Sequence, residues 1–143
     1  MSIILSSIFS NVMTTQQREL MSHIGIRRLI KPSKAKFTSL EIRYYDMLTE
    51  IGVKFVPQYP MDGRFYDAYL PEKKVLLEFD GSFWHPKTEK DATYEHQKKN
   101  FKVDRLKDQY AKERGLKLYR IREDEPINSF QLRELVNGRK KWD

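Results

Sequence analysis

Two segments with β-strand character, joined by a short loop, constrain the fold more than any other feature of this sequence. RFYDAYL and VLLEFD are rich in aromatic and apolar residues, and only the turn-prone segment PEKK lies between them. Pairing Leu70 with Val75 across this loop produces an antiparallel β-hairpin. Leu76 and Leu77 follow each other directly, which predicts that the second strand is buried on both faces of a sheet.

The predicted hairpin brings three carboxylates together. In this register Asp67 lies directly opposite Glu78, with Cβ atoms about 4.5–5.5 Å apart, and Asp80 shares the face of Glu78 because strand side chains alternate. Like charges at such positions destabilise a sheet unless a shared proton, a basic side chain or a divalent cation compensates them. Mg²⁺ binds carboxylates together with water and substrate phosphates, so a cation here would indicate phosphodiester chemistry. The alternative is that the acids lie on a solvent-exposed face and pair with lysines.

The remaining segments predict a mixed α/β domain. Apolar residues at helical spacing follow a capping box formed by Thr38 and Glu41, and Gly52 ends this helix. VKFVPQYP has the composition of a short strand that its two prolines break. Residues 90–114 predict a long polar helix, followed by a strand, LKLYRI, and a final short helix, SFQLRELVNG. This order predicts a central mixed sheet of about four strands flanked by helices.

The charge balance indicates a polyanionic partner. The 143 residues carry 27 Lys and Arg against 20 Asp and Glu, a net charge of +7. Such an excess favours nucleic acid, because neutralised phosphates release counterions. No apolar run approaches the ~20 residues of a membrane span, so no membrane partner is expected. The sequence has no cysteine, which excludes disulfides and thiolate metal sites and is typical of a reducing compartment.

The N-terminal residues differ in character from the rest. Residues 14–36 are rich in Lys and Arg and predict a basic arm or short helix that leads into a linker, the alternative being a solvated leader without a role. The apolar residues 1–12 lack the pattern of a signal peptide, and a start at Met13 would make them dispensable. We therefore divide the chain into an arm, residues 1–36, and a folded domain, residues 37–143.

The acids and the residues after them resemble the PD-(D/E)XK nuclease superfamily, whose motif is an Asp on one strand and acid-x-Lys on the next. Asp67 and the triplet Glu78-Phe79-Asp80 match these positions, although Asp80 stands where the motif has Lys. FDGSFWH is similar to the THGCFWH signature of very-short-patch-repair (Vsr) endonucleases and related phage homing endonucleases, and RELMSHIGIRR is similar to their N-terminal arm. The likeness covers about residues 17–125. It implies a restriction-endonuclease-like core and makes the folded domain a nuclease domain.

The resemblance also implies a Mg²⁺-dependent endonuclease, with Mn²⁺ able to substitute, that acts on double-stranded DNA. Asp67, Glu78 and the backbone carbonyl of Phe79 would be the metal ligands. His85 would assist proton transfer near the scissile phosphate. The chain lacks the zinc-binding cysteines of Vsr repair enzymes, which favours the phage homing type. The other two implied catalytic residues, which would orient water or a second ion, are Asp80 and Glu41, although the capping box explains Glu41 equally well.

Several alternatives stay open at this point. The change from Lys to Asp80 is also compatible with a catalytically inactive DNA-binding module, or a basic residue of the long helix, such as Lys98, Lys102 or Arg105, could replace the missing charge. A structure- or mismatch-specific nickase and an RNA-directed nuclease are further candidates. Cutting both strands would require a homodimer on DNA or two successive nicks. The expected location is the cytoplasm, in a phage-type protein. The residues expected to contact DNA are Arg18, Arg27, Arg28, Lys31, Trp84, Lys98 and Lys102.

Overall fold

One four-stranded sheet organises residues 37–139, the part of the chain that the computed structural model describes. Helices precede, interrupt and follow its strands, which confirms the predicted α/β fold with a central mixed sheet flanked by helices. The elements are α1 (Ser39–Glu50), β1 (Val56–Met61), β2 (Arg64–Leu70), β3 (Val75–Asp80), a short 3₁₀ helix (Glu89–Asp91), α2 (Glu95–Glu113), β4 (Lys117–Arg122) and α3 (Ser129–Val136).

The sheet has the spatial order β1-β2-β3-β4. The first three strands run antiparallel, and β4 runs parallel to β3, with α2 as the connection between them. Leu70 pairs with Val75, so the register predicted for the hairpin is confirmed. All six residues of β3 are buried, as its apolar sequence predicted. Its last residues therefore carry two acids into the interior of the protein.

Helices cover both faces of the sheet. On one face, Tyr44 of α1 and Leu132 of α3 belong to the same buried cluster as Leu77. On the other face, Ala111 of α2 belongs to a second cluster with Leu76. Burial of these apolar side chains stabilises the layers by about 25 cal/mol per Å² removed from water. None of the helices in residues 37–139 combines the length and apolar character needed to cross a membrane.

Two elements differ from the sequence-based prediction by more than a shift of a few residues at an end. The strand β1 continues through Pro57 and Pro60 instead of breaking there, because it lies at an edge of the described sheet, where a missing backbone donor is tolerated. The helix α2 begins at Glu95, five residues later than the predicted start at residue 90, because the segment before it forms the short 3₁₀ helix capped by Thr88. The first helix begins at the predicted capping box, and Gly52, at a φ of 75°, follows its end.

Candidate active site

The candidate site begins where the sheet opens around Asp67, in the middle of β2. The β1–β2 ladder skips the pair of Gln58 and Asp67, with Gln58 at a φ of 51°, and the β2–β3 ladder ends at Ala68 and Leu77. The carboxylate of Asp67 enters this opening. Its Oδ2 accepts a hydrogen bond from the backbone N–H of Phe79 at 2.7 Å, and its Oδ1 accepts one from Gln58 Nε2 at 3.4 Å. A side chain therefore satisfies a backbone donor of β3 that the ladder leaves unpaired.

Glu78 lies just beyond the end of the ladder, where a lysine of α2 contacts it. The residue is 3% exposed. Burial and the charge of Asp67 raise the pKa of Glu78 well above its usual value, while Lys107 opposes this rise. Lys107 Nζ lies 2.9 Å from Glu78 Oε1 and 5.1 Å from the centre of the Tyr66 ring. The repulsion between Asp67 and Glu78 was expected to require a shared proton, a basic side chain or a cation, and Lys107 supplies the basic side chain.

Asp80 is buried, at 2% exposed, and only one of its two carboxylate oxygens is bonded. Oδ2 lies 3.5 Å from Nη1 of Arg120, whereas Oδ1 is buried and has no hydrogen-bond partner among the described residues. Burial raises the pKa of Asp80, and the charge of Arg120 opposes that effect. An unsatisfied buried oxygen costs free energy, so a further ligand at this oxygen would be favourable.

His85 is held by both its side chain and its backbone. Its Nδ1 lies 2.8 Å from Asp104 Oδ2 and 4.0 Å from Asp80 Oδ1, and Arg122 donates to the His85 carbonyl at 2.6 Å. Burial lowers the pKa of His85, but the hydrogen bond with Asp104 and the charges of Asp80 and Asp104 outweigh it, so the pKa is raised. An imidazole with one nitrogen fixed by a carboxylate is suited to proton transfer through the other.

Arg120 of β4 joins the two acids on either side of His85. Its Nη1 lies 3.5 Å from Asp80 Oδ2 and 3.5 Å from Asp104 Oδ1, and its Nη2 donates to the Asp104 carbonyl at 2.8 Å. The guanidinium thus contacts Asp80 Oδ2 and Asp104 Oδ1, whereas Asp80 Oδ1 and Asp104 Oδ2 are the oxygens nearest His85 Nδ1. This arrangement leaves one oxygen of each acid directed towards the imidazole.

One face of α2 supplies functional residues that the sequence analysis missed. Gln97 donates to the Phe83 carbonyl at 2.7 Å and Asn100 donates to the Trp84 carbonyl at 2.9 Å, so this helix fixes the loop after β3. The polar positions that contact the loop and the acids recur every three or four residues, which is the spacing of a single helix face. That periodicity, rather than an apolar pattern, was the signal that could have identified them. These positions are Gln97, Asn100, Asp104 and Lys107.

Glu41 combines a capping role with proximity to the acids. The backbone N–H of Thr38 donates to Glu41 Oε2 at 3.3 Å, and the Glu41 N–H donates to Thr38 Oγ1 at 3.2 Å, which confirms the capping box. Burial and the charge of Asp67 raise the pKa of Glu41 from 4.5 to about 7, although the bonds with Thr38 oppose this. Glu41 is therefore electrostatically coupled to Asp67.

An exposed aromatic cluster lies next to His85. Phe83 and Trp84 are each 54% exposed and Tyr94 is 56% exposed. The ring centres of Phe83 and Trp84 are 5.2 Å apart, that of His96 lies 4.8 Å from Trp84, and His96 stacks on Tyr94 at an interplanar angle of 7°. Contiguous exposed apolar groups are typical of interaction surfaces. The predicted contact residue Trp84 is thus accessible to a partner.

The basic residues expected to contact DNA fall into two groups. Lys98 and Lys102 are exposed on α2, and so is Arg105, whose guanidinium lies over a phenylalanine ring. Lys107, rather than any of these three, contacts Glu78. The others lie outside the described residues and are Arg18, Arg27, Arg28 and Lys31.

Three side chains at the centre of the site form a group that can hold a metal ion. Asp80, His85 and Asp104 each offer one ligand atom, and these atoms lie within 4.8 Å of one another. The metal-ligand roles of Asp67, Glu78 and the Phe79 carbonyl stay predictions. All five residues predicted to be catalytic nevertheless lie in one electrostatically coupled region.

Comparison with known proteins gives a likeness to solved structures but no match to a sequence family. No protein-family model matches the chain, and no curated protein matches it. Among solved structures, the chain is similar to the "Homing Endonuclease I-Bth0305I Catalytic Domain", with a TM-score of 0.45 and 20% sequence identity. The match covers 72% of this chain and 88% of that chain. A likeness of this extent does not identify an activity, so the function has to be argued from the site.

Proposed function

We propose that this protein is a Mg²⁺-dependent endonuclease that hydrolyses phosphodiester bonds of double-stranded DNA, of the Vsr-like or phage homing type. The observation that carries the proposal is the gathering of acids at the point where the sheet opens, next to an imidazole fixed by a carboxylate. Buried acids whose pKa values are raised by desolvation and mutual repulsion are typical of sites with a chemical function. If these positions served only the stability of the fold, apolar residues there would stabilise the protein as well as or better than the buried acids do.

The side chains present fit a divalent cation. Asp67 and Glu78 repel each other in a buried position, and a cation held between them would relieve this repulsion. Carboxylate and carbonyl oxygens are the ligands that Mg²⁺ prefers, and Asp67, Glu78 and the Phe79 carbonyl would hold it. When bound, Mg²⁺ or Mn²⁺ supplies polarisation of a phosphoryl oxygen and a lowered pKa for water.

The other residues manage protons and charge. Asp104 holds Nδ1 of His85, which leaves Nε2 to exchange a proton with the attacking water or the leaving oxygen. Glu41, with a pKa of about 7, would orient water close to Asp67 near neutral pH. Lys107 neutralises Glu78 and so limits the repulsion within the cluster. Its ammonium would also stabilise negative charge that develops on a phosphate bound beside Glu78.

DNA is the substrate that the charge of the chain favours. The net charge is +7 despite the acids of the site, and Lys98 and Lys102 lie on the exposed side of α2, the helix that also fixes the loop carrying Trp84. Lysines would bind phosphates and aromatic rings would stack on bases. Residues 1–36 would add a basic arm to the nuclease domain of residues 37–143. We place the protein in the cytoplasm, with a homodimer on DNA where both strands are cut.

The test is cleavage of supercoiled plasmid with Mg²⁺ or with EDTA. Asp67→Asn should lower nicking by at least about 100-fold, because the variant loses the negative charge that would hold the metal ion. The variant should still fold, since the asparagine oxygen can accept the hydrogen bond from the Phe79 N–H. Asp62→Asn is the matched control, since Asp62 lies in the β1–β2 turn and pairs with Arg114. It should nick like wild type. Cleavage that persists in EDTA, or an unchanged Asp67→Asn variant, would contradict the proposal.

A catalytically inactive DNA-binding module is the second candidate. Two observations favour it: Asp80 occupies the position of the motif lysine, and Lys107 already occupies an oxygen of Glu78. In that case wild type and Asp67→Asn would bind DNA equally and neither would nick it. Matched duplex, mismatched duplex, branched DNA and RNA should be compared as substrates, which separates the proposed activity from a structure-specific, mismatch-specific or RNA-directed nuclease.

A further inference from the structure

We propose that Asp80, His85 and Asp104 bind a first-row transition-metal ion, of the class of Mn²⁺, Co²⁺, Ni²⁺ or Zn²⁺, through a set of ligands different from the one proposed for Mg²⁺ around Asp67. The candidate ligand atoms are Asp80 Oδ1, His85 Nδ1 and Asp104 Oδ2. They come from the end of β3, the loop after it and the middle of α2. The proposal does not depend on nuclease activity, because it concerns metal binding by the free protein. There the ion replaces the hydrogen bond between His85 Nδ1 and Asp104 and so excludes the proton-transfer role of His85 while it is bound.

The distances suit a metal ion after small side-chain shifts. His85 Nδ1 lies 2.8 Å from Asp104 Oδ2 and 4.0 Å from Asp80 Oδ1, and all three atoms are within 4.8 Å of one another. Metal–ligand bonds of about 2.0–2.2 Å place neighbouring ligand atoms about 3–3.5 Å apart. The separation of His85 Nδ1 from Asp104 Oδ2 lies just below this range and the separation from Asp80 Oδ1 lies above it, so the carboxylate oxygens would move by about 1 Å, within the reach of a side-chain rotation, to bind one ion.

A buried and unpartnered oxygen is the second, independent observation. Asp80 is 2% exposed, and its Oδ1 has no hydrogen-bond partner among the described residues. A proton shared by His85 and Asp104 satisfies those two residues but leaves Asp80 Oδ1 unsatisfied. A cation between the three atoms satisfies all of them, which accounts for a feature that ion pairing alone leaves unexplained.

Arg120 provides the outer support that a metal site needs. It lies 3.5 Å from Asp80 Oδ2 and 3.5 Å from Asp104 Oδ1, the oxygens that are not candidate ligands. Ligating carboxylates in metal sites are typically held in this way by neighbouring donors, which fix their orientation. Arg122 holds the His85 carbonyl at 2.6 Å, so the third ligand is also anchored through its backbone.

The donor set selects the class of ion. One imidazole nitrogen with two carboxylate oxygens suits Mn²⁺, Co²⁺, Ni²⁺ or Zn²⁺, whereas Mg²⁺ and Ca²⁺ prefer oxygen ligands alone. The sequence contains no cysteine, so soft thiolate ligands are not available. We therefore expect this site to discriminate against Mg²⁺, the ion assigned to the neighbouring carboxylates.

Titration of the metal-free full-length chain with Co²⁺, without DNA, tests the proposal. Co²⁺ bound to nitrogen and oxygen ligands absorbs in the visible range, and the absorption should saturate and then disappear as Zn²⁺ displaces the probe. His85→Gln and Asp104→Asn should each weaken Co²⁺ binding by about 100-fold or more, and Arg120→Gln by about 10–100-fold. His96→Gln, which changes an exposed histidine of the aromatic cluster, is the matched control and should bind like wild type. Circular dichroism melts establish that each variant is folded.

Each outcome decides the question. A wild-type chain that gives no saturable absorption, or a folded His85→Gln variant that keeps it, overturns the proposal. Loss of the signal in Asp67→Asn also overturns it, because the ion would then belong to the other carboxylates. A Co²⁺ signal retained in Asp67→Asn and lost in both His85→Gln and Asp104→Asn supports it. Since none of these readings involves cleavage, failure of the plasmid assay would leave the result intact.

Discussion

The substitution Glu41→Gln should stabilise the metal-free protein above neutral pH and have no effect in acid. Glutamine keeps the capping box, because its side-chain oxygen can accept from the Thr38 N–H as Glu41 does. It removes only the charge. Burial and the charge of Asp67 raise the pKa of Glu41 from 4.5 to about 7, so the folded state retains a proton that the unfolded state has already released. Stability is therefore lost as the pH rises through this window.

The magnitude follows from the size of the pKa shift. A rise from 4.5 to about 7 corresponds to about 3 kcal/mol at 1.36 kcal/mol per unit. Because Glu41 is only partly buried, solvent screening reduces the expected gain to about 1–3 kcal/mol. Urea denaturation in EDTA, followed by far-UV circular dichroism, should show equal stability of wild type and variant near pH 4 and the full difference near pH 8.

Two results would refute this reasoning. A variant that is no more stable than wild type near pH 8 would mean that Glu41 does not carry an electrostatic cost in the folded state. A difference that is constant from pH 4 to pH 8 would mean that the substitution acts through packing or capping. Glu113→Gln, at the exposed end of α2, is the control and should change the free energy of unfolding by less than about 0.5 kcal/mol at either pH.

Three further predictions concern the surroundings of the site. Lys107→Met should lower the free energy of unfolding by about 1–3 kcal/mol at neutral pH, because Glu78 must take up a proton or stay charged in the interior once its partner is lost, and Glu78→Met in the same chain should restore most of the loss; a single variant as stable as wild type in urea would contradict this. Gln97→Ala should cost about 1–3 kcal/mol and increase amide exchange in the loop after β3, whose Phe83 carbonyl loses a donor; unchanged exchange there would oppose it. Trp84→Ala should change stability by less than about 1 kcal/mol, since the residue is 54% exposed, yet weaken DNA binding in fluorescence anisotropy by about 1–3 kcal/mol. Equal affinity of the two proteins would exclude Trp84 from the DNA interface.

The local part of the fold could be predicted from the sequence because short-range rules determine it. The loop between Leu70 and Val75 is short enough to fix the hairpin register, and that register was correct. The capping box at Thr38 and Glu41 was also correct, since it depends on residues three positions apart. The register alone is sufficient to predict that Asp67 and Glu78 come together, although not how their charges are compensated.

The compensating residues were missed because they come from distant elements. The sequence predicts residues 90–114 as a polar helix without indicating which of its polar residues face the sheet, and the face beside the acids carries Asp104 and Lys107. Arg120 could be recognised only after β4 was known to run parallel to β3 beside it. A polar helix face is normally solvated, so its role becomes visible only when the tertiary arrangement is known.

The origin of these charges along the chain has a consequence for the order of folding. Asp67 and Glu78 are 11 positions apart in one hairpin, but the cations that offset the acids come much later, with Lys107 29 residues beyond Glu78 and Arg120 40 residues beyond Asp80. Closing the longer loops costs more chain entropy, so the acids should meet before their counter-charges arrive. Mutual repulsion would then slow hairpin formation at high pH. We expect the refolding rate to increase as the pH falls towards the usual pKa values of the carboxyl groups, and to increase in Glu78→Gln at neutral pH.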